Sequence, residues 1–91
     1  MPGLFTIHPC DKAETMFELI TGKYQEQLLF TGDGMTFSPQ QTPYQGGMLF
    51  FTNQDTGSFS VVMVFGDGIA CMMMNGRKFT PYLGPQPGDK K

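Results

Sequence analysis

Charge is scarce in this chain. Only 15% of its 91 residues are charged, and the formal net charge is −2, whereas about a quarter of the residues in soluble domains are usually charged. Apart from the two lysines that end the chain, Arg77 and Lys78 are the only adjacent basic residues. A nucleic-acid-binding surface needs a basic patch or stripe. The composition therefore predicts no nucleic-acid partner.

Long apolar runs and a signal sequence are also missing. No stretch approaches the roughly 18 apolar residues that a membrane-spanning helix requires, so we expect no membrane span. Residues 1–10 lack the basic and apolar regions of a secretory signal. The protein is therefore expected to be periplasmic or secreted if a leader has been removed, and cytoplasmic otherwise.

Groups that could perform catalysis are few. The chain has one histidine, His8, and it has neither a Gly-x-Ser-x-Gly motif nor a nucleotide-binding glycine motif followed by a helix. The carboxylates of Glu14, Glu18 and Glu26 lie on or beside a predicted helix, where we expect them to be solvated. We predict that the protein is not an enzyme and uses no cofactor.

Apolar side chains are abundant instead. They make up 40% of the chain, with nine phenylalanines and eight methionines, a composition that disordered chains do not have. The length fits one domain. Residues 81–91 contain three prolines and two glycines. We therefore predict a single domain over residues 1–83 and a flexible tail over residues 84–91.

One helix is predicted from Asp11 to about Lys23. Asp11 and Glu14 have the spacing of a capping box, and Gly22 is typical of a helix end. Apolar residues recur at helical spacing at Ala13, Met16, Phe17 and Ile20. This apolar stripe predicts that the helix covers a sheet.

The pattern becomes strand-like after Tyr24. We predict strands at residues 27–31, 48–53, 58–65 and 69–74, with a short one at 78–80, and a long loop at 38–47. The connections between the later strands are too short for parallel crossovers. The predicted fold class is α+β, with one N-terminal helix packed on a four- to five-stranded antiparallel meander sheet.

The order of these motifs points to a group of proteins. Cys10 precedes the helix, Lys23-Tyr24 ends it, and Asp67-Gly68-Ile69-Ala70-Cys71 opens a late strand. Over residues 10–76 the chain resembles a loose group of small exported proteobacterial proteins of unknown function. It departs from their pattern in the Pro/Gln loop at 38–47 and in the run Met72–Met74. The resemblance implies export and a disulfide, and it implies no activity.

The two cysteines can be interpreted in three ways from the residues alone. A Cys10–Cys71 disulfide would close a loop of about 60 residues and remove roughly 4 kcal/mol of unfolded-state entropy. It would also tie the start of the helix to the fourth strand. Two buried free thiols are a second interpretation. A redox pair is a third, although the Cys-x-x-Cys motif is absent.

A soft-metal site is the alternative for the same residues. His8, Cys10, Cys71 and Met73 offer the imidazole, thiolate and thioether ligands that suit Cu(I). Strand alternation, however, puts Met72 and Met74 on one face and Met73 on the other, and oxidised cysteines would leave no site. We therefore predict no metal site, and retain a copper or small hydrophobic ligand carrier as the alternative function.

An uncovered sheet face is the remaining feature. One helix can cover only one face of a four-stranded sheet, so the other face would expose large apolar groups, as interaction surfaces do. We predict this surface at Met48, Phe50, Met63, Phe65, Met72 and Met74. The predicted function is a small non-enzymatic protein-binding or structural module that self-associates through its sheet or binds another protein. A sheet curled into a half-barrel that buries both faces is the structural alternative.

Overall fold

A computed structural model describes residues 9–88, which form one short helix and a five-stranded antiparallel sheet. The helix α1 (Ala13–Glu18) continues as a π-helical segment, Leu19–Lys23. The strands are β1 (Cys10–Lys12), β2 (Gln27–Phe37), β3 (Pro43–Asn53), β4 (Ser58–Val64) and β5 (Ile69–Gly76). Their order in the sheet is β1-β5-β4-β3-β2, and each pair is antiparallel. The α+β class with an antiparallel sheet is confirmed.

The start of the helix differs from the prediction. Asp11 lies in β1, and its Oδ1 accepts a hydrogen bond from the Lys12 N–H at 2.7 Å. Lys12 precedes α1 without a side-chain cap, and the Ala13 N–H donates to the Gly68 carbonyl at 2.9 Å. The predicted capping box is therefore wrong, because pairing of β1 with β5 claims this segment for the sheet. A strand, not the helix, is the first described element.

The end of the helical region widens into a π turn. The Tyr24 N–H donates to the Leu19 carbonyl at 3.1 Å, a five-residue step. Gln25 then takes a positive φ of 55°, which reverses the chain, and the Glu26 N–H bonds back to the Ile20 carbonyl at 3.1 Å. This turn carries the chain from the helix directly into β2.

The β2–β3 hairpin is much longer than predicted. The strand β2 runs through Gly32-Asp33-Gly34 to Phe37, and β3 begins at Pro43, so the loop spans only residues 38–42. Gly34 pairs with Gly46 in the ladder. A Cβ on Gly46 would lie 2.7 Å from the Val64 carbonyl oxygen, so a glycine is needed for this close approach. The hairpin glycines Gly32, Gly34, Gly46 and Gly47, which were predicted to lie in turns or a loop, are thus paired strand residues.

The predicted strand at 78–80 is wrong. Lys78 has a φ of 67°, a left-handed conformation that does not fit a strand. The Phe79 N–H donates to the Gly57 carbonyl at 2.9 Å, which fastens this segment to the β3–β4 turn. Residues 81–88 contain no helix or strand and are exposed. The limits of the predicted domain and tail stay a prediction.

The core joins the helical region to one face of the sheet. The buried apolar cluster consists of Met16, Ile20, Phe51, Val62, Ala70 and Met72. Phe17 packs beside it, with its ring 6.0 Å from that of Phe51. The helical periodicity thus identified the residues that reach the core. No helix within residues 9–88 has the length and apolar character needed to cross a membrane.

Candidate interaction surface

The face of the sheet turned away from the helix carries a continuous apolar row. In the strand register Phe30 pairs with Phe50, Phe50 with Val61, and Val61 with Met74. Directly paired residues of neighbouring strands have side chains on the same face. Four adjacent strands therefore contribute one apolar side chain each to a single line across the sheet.

Further aromatic rings lie beside this row at its centre. The Phe50 ring lies 6.0 Å from that of Phe30, 5.7 Å from that of Phe59, and 5.1 Å from that of Phe79. The rings of Phe50 and Phe59 are stacked at an interplanar angle of 3°. These separations are within the range of favourable aromatic pairs. We call the set Phe30, Phe50, Phe59, Val61, Met74 and Phe79 the open face.

The open face is exposed at its two ends. Phe30 is 57% exposed and Met74 is 58% exposed, whereas Phe50 and Val61 between them are half-buried. No described side chain of the open face is charged. This surface can therefore offer apolar and aromatic contacts, and it offers no charged group for acid–base chemistry.

The predicted surface residues do not all lie on this side. Phe50 and Met74 belong to the open face, and Met48 pairs with Met63 in the next row of the same side. Met63 itself is buried, because its side chain lies close to Gly46. Phe65 is half-buried and directly follows β4.

Met72 is a correction to the predicted surface. It is buried in the core cluster under the helix, while Met74 is exposed on the opposite face. The register jumps here, since Val62 pairs with Met72 and Val61 with Met74, which leaves Met73 as a bulge residue. An extra residue in one strand shifts its alternation. The prediction that Met72 and Met74 share a face is therefore wrong.

The two cysteines form a disulfide. The Sγ atoms of Cys10 and Cys71 are bonded at 2.09 Å, and their Cα atoms lie 4.0 Å apart in directly paired positions of β1 and β5. The Met72 N–H donates to the Pro9 carbonyl at 2.8 Å, which makes Cys10 and Cys71 the closely spaced, non-hydrogen-bonded kind of pair. The predicted disulfide is confirmed, and it secures a strand that has only three residues.

The disulfide bears directly on the soft-metal alternative. Both sulfur atoms that would act as thiolate ligands are bonded to each other, and His8 lies outside the described residues. Met73 lines a groove together with Cys10 and Cys71. Among residues 9–88 no group of three His, Cys, Asp or Glu side chains is placed to hold a metal ion. In the oxidised protein these cysteines cannot coordinate copper as thiolates.

This groove lies between the disulfide and the tip of the long hairpin. Its volume is about 530 Å³, and its lining includes Phe37 and Tyr44 of the hairpin together with Cys71 and Met73. Because hairpin tip and disulfide line one groove, the sheet curls at this end. The sheet is therefore partly curved, as in the half-barrel alternative, but the two ends of the open face stay exposed.

One buried carboxylate was missed by the sequence reasoning. Glu26 is only 2% exposed, and both carboxylate oxygens are buried without a hydrogen-bond partner among the described residues. The prediction of a solvated Glu26 is therefore wrong, whereas Glu14 and Glu18 are exposed as predicted. Buried polar groups are nearly always hydrogen-bonded, as Ser60 is by the Asn75 Nδ2 at 3.1 Å. The position of Glu26, next to the π turn, gave no signal of burial in the sequence.

The comparisons with known proteins add no identity. No family model, no curated protein and no solved structure matches this chain. The function is therefore inferred from the geometry of the surfaces described above.

Proposed function

We propose that this protein is a small non-enzymatic interaction module that binds a protein partner, including a second copy of itself, through the open face. The observation that supports this most is the row Phe30–Phe50–Val61–Met74, which crosses four strands with both of its ends exposed. Contiguous exposed apolar surface of this kind marks interaction sites.

Burial of the exposed parts of the open face would favour association. Full burial of a large apolar side chain contributes about 1.5–3 kcal/mol. Phe30 and Met74 are each a little over half exposed, so covering both would contribute on the order of 2 kcal/mol in total. Covering the half-buried rings beside them adds to this. The Phe50 ring already contacts three other rings, so part of its side-chain freedom is lost before binding.

The same surface supports a role without catalysis. Charged groups are absent from the open face, and general acid–base chemistry needs a positioned titratable group. A disulfide is compatible with a periplasmic or secreted location. We infer export from this disulfide and from the resemblance to exported proteins, so the partner would be met outside the reducing cytoplasm.

A charge placed on the open face tests this proposal. Met74→Lys should reduce both hydrophobic-dye fluorescence and any increase in light scattering with concentration, because a lysine cannot enter an apolar contact without desolvation. Leu83→Lys is the matched control, since Leu83 is 92% exposed but lies outside the open face. The proposal fails if the wild-type chain binds no dye and stays monomeric at every concentration. It also fails if Met74→Lys behaves like the control.

A second candidate is a carrier of a small hydrophobic ligand. It is favoured by the groove of about 530 Å³ beside the disulfide, a volume in the range of ligand sites. Phe37→Lys would place a charge in this groove and should abolish dye binding there, while Met74→Lys would not. Equal loss in the two variants would count against a separate groove site.

A further inference from the structure

The free edge of β2 is the longest unpaired strand edge in the described sheet. The strand has 11 residues and stands last in the sheet order. A bulge interrupts its pairing with β3 between Leu28 and Phe30, and from Phe30 to Phe37 the register is unbroken. We call residues 30–37 the β2 edge. Such an edge presents a row of unpaired N–H and C=O groups to a further strand.

The hydrogen-bond pattern shows which groups point outward. The Ser38 N–H donates to the Thr42 carbonyl at 3.0 Å, so these residues form a bonded pair. Bonded and non-bonded pairs alternate along an antiparallel ladder, which makes every second residue from Thr36 back to Phe30 a bonded partner of β3. The residues between them turn their N–H and C=O groups away from β3. These are Thr31, Asp33, Met35 and Phe37.

We propose that a second copy of this chain pairs with this edge, antiparallel, β2 against β2, about a twofold axis at Gly34. Gly34 then faces Gly34 of the second copy, and Asp33 faces its Met35. Thr31 faces the Phe37 of the second copy. In this register every outward N–H and C=O of the β2 edge has a partner, and the five-stranded sheets join into one.

Charge disfavours an axis at the neighbouring residue. Asp33 is the only charged residue in β2, and an axis at Asp33 would place two carboxylates directly opposite, which is destabilising. An axis at Gly34 places each carboxylate opposite a methionine. It also pairs Thr31 with Phe37, a β-branched residue with an aromatic one, which is a favourable cross-strand combination.

Space at the axis fits the same register. A Cβ built on Gly34 would meet no heavy atom within 4 Å, so no other part of the described chain covers the sheet face at the axis. A twofold axis perpendicular to the sheet keeps the open faces of both copies on one side. The inference rests on the proposed function in making the chain self-associate, but it places the join at the β2 edge and not on the open face.

Site-directed cross-linking tests the register. In Gly34→Cys the two introduced cysteines would occupy a non-hydrogen-bonded pair, with Cα atoms about 4.5 Å apart, which a disulfide can bridge. The variant should form a disulfide-linked dimer in non-reducing mass spectrometry. Thr31→Cys is the matched control, because it would face Phe37 and should not cross-link. No dimer from Gly34→Cys, or equal yields from both, would overturn the proposal.

Removal of one outward donor tests the edge itself. Met35→Pro deletes an N–H that points away from β3, a position where a strand tolerates proline. Met35→Ala shortens the side chain but retains the donor. Sedimentation should show dimers for the wild type and Met35→Ala, and at least about tenfold weaker association for Met35→Pro, since hydrogen bonds are lost on both sides of the axis. Circular dichroism checks that all three are folded.

The outcomes separate this inference from the proposed function. If Met35→Pro dissociates the dimer while Met74→Lys leaves both dimer and dye binding unchanged, the edge is supported and the open face is not. If Met74→Lys dissociates the dimer and Met35→Pro does not, the edge proposal is overturned. Amide hydrogen exchange tests whether the chain covers its own β2 edge. Protection of the Met35 N–H in a dilute monomer would show that it does, and would also overturn the edge proposal.

Discussion

The two edges of the sheet are built in opposite ways. The strand β1 has three residues, two of them charged, and is bonded covalently to its neighbour by Cys10–Cys71. The strand β2 has 11 residues, with Asp33 as its only charge, and no covalent link to β3. Proteins commonly protect sheet edges by shortness, charge and covering elements. The β1 edge has the first two of these, while the β2 edge is left available for pairing.

This contrast separates two kinds of stabilisation. At the β1 edge a short strand has few hydrogen bonds, so the disulfide compensates by restricting the unfolded chain. At the β2 edge, stability comes from the long ladder with β3, and the outer side of that ladder remains free. Substitutions at the first edge should therefore change folding, and substitutions at the second should mainly change association.

The largest effect is expected from removing the disulfide. Cys10→Ala with Cys71→Ala should lower the free energy of unfolding by about 4 kcal/mol, since the bond closes a loop of about 60 residues. Urea unfolding of the variant and the wild type measures this. Both proteins should show the same stability in the presence of a reductant that cleaves the wild-type bond. A loss below about 1 kcal/mol would mean that β1 is held by its other contacts.

The next largest loss of stability is expected at Gly46, and its paired residue Gly34 in the edge strand provides the comparison. Gly46→Ala should lower the free energy of unfolding by about 2 kcal/mol, because its Cβ would lie 2.7 Å from a backbone oxygen that cannot rotate away. Gly34→Ala, at the paired position of β2, enters open space and should change it by less than about 0.5 kcal/mol. Thermal unfolding of the two single variants provides the comparison. Equal losses would show that glycine is required at the edge as well.

A smaller effect, of opposite sign, is expected at the residue that precedes β2. Glu26→Met should raise the free energy of unfolding by roughly 1 kcal/mol, because a buried carboxylate with no hydrogen-bond partner among residues 9–88 is replaced by an apolar chain of similar length. Glu18→Met, at an exposed helical position, is the control and should change it little. A destabilised Glu26→Met would indicate that the carboxylate has a stabilising partner beyond residues 9–88.

The sequence predicted those features that depend on local periodicity. The helical spacing of Met16 and Ile20 identified core residues, since a repeat of about 3.6 residues fixes which side of a helix is apolar. The cysteine pair was anticipated because two cysteines allow only one intramolecular pairing. The antiparallel sheet followed from the short connections between its later strands.

Features that depend on residues far apart in the sequence were not predicted. Asp11 looked like a helix cap, yet β5, far along the chain, pairs with it in the sheet. The bulge at Met73 puts Met74 on the opposite face from Met72, which lies in the core, and a single-strand pattern contains no sign of such an insertion. Gly34 and Gly46 looked like turn residues in their local sequences. Their pairing with each other in the ladder depends on the partner strand, which the local sequence does not show. An uncovered apolar sheet face was therefore anticipated, but its predicted residues included Met72, which lies in the core, and Met63, which is buried.

The smallest change in stability should come with a clear change in solubility. Asp33→Asn removes the only charge of β2 and should alter the free energy of unfolding by less than about 0.5 kcal/mol, as exposed substitutions usually do. Charges on an exposed strand edge oppose uncontrolled pairing with other chains, so aggregation of Asp33→Asn should be faster at equal concentration.

Asp11→Asn makes the same substitution at the β1 edge and keeps the oxygen that accepts from the Lys12 N–H. Its aggregation rate, followed by light scattering, should match that of the wild type. The strand β1 has only three residues and is bonded to β5 by the disulfide, so it offers only a short edge for pairing. Equal acceleration in both variants would mean that net charge controls solubility, and the contrast between the two edges would then have no consequence for association.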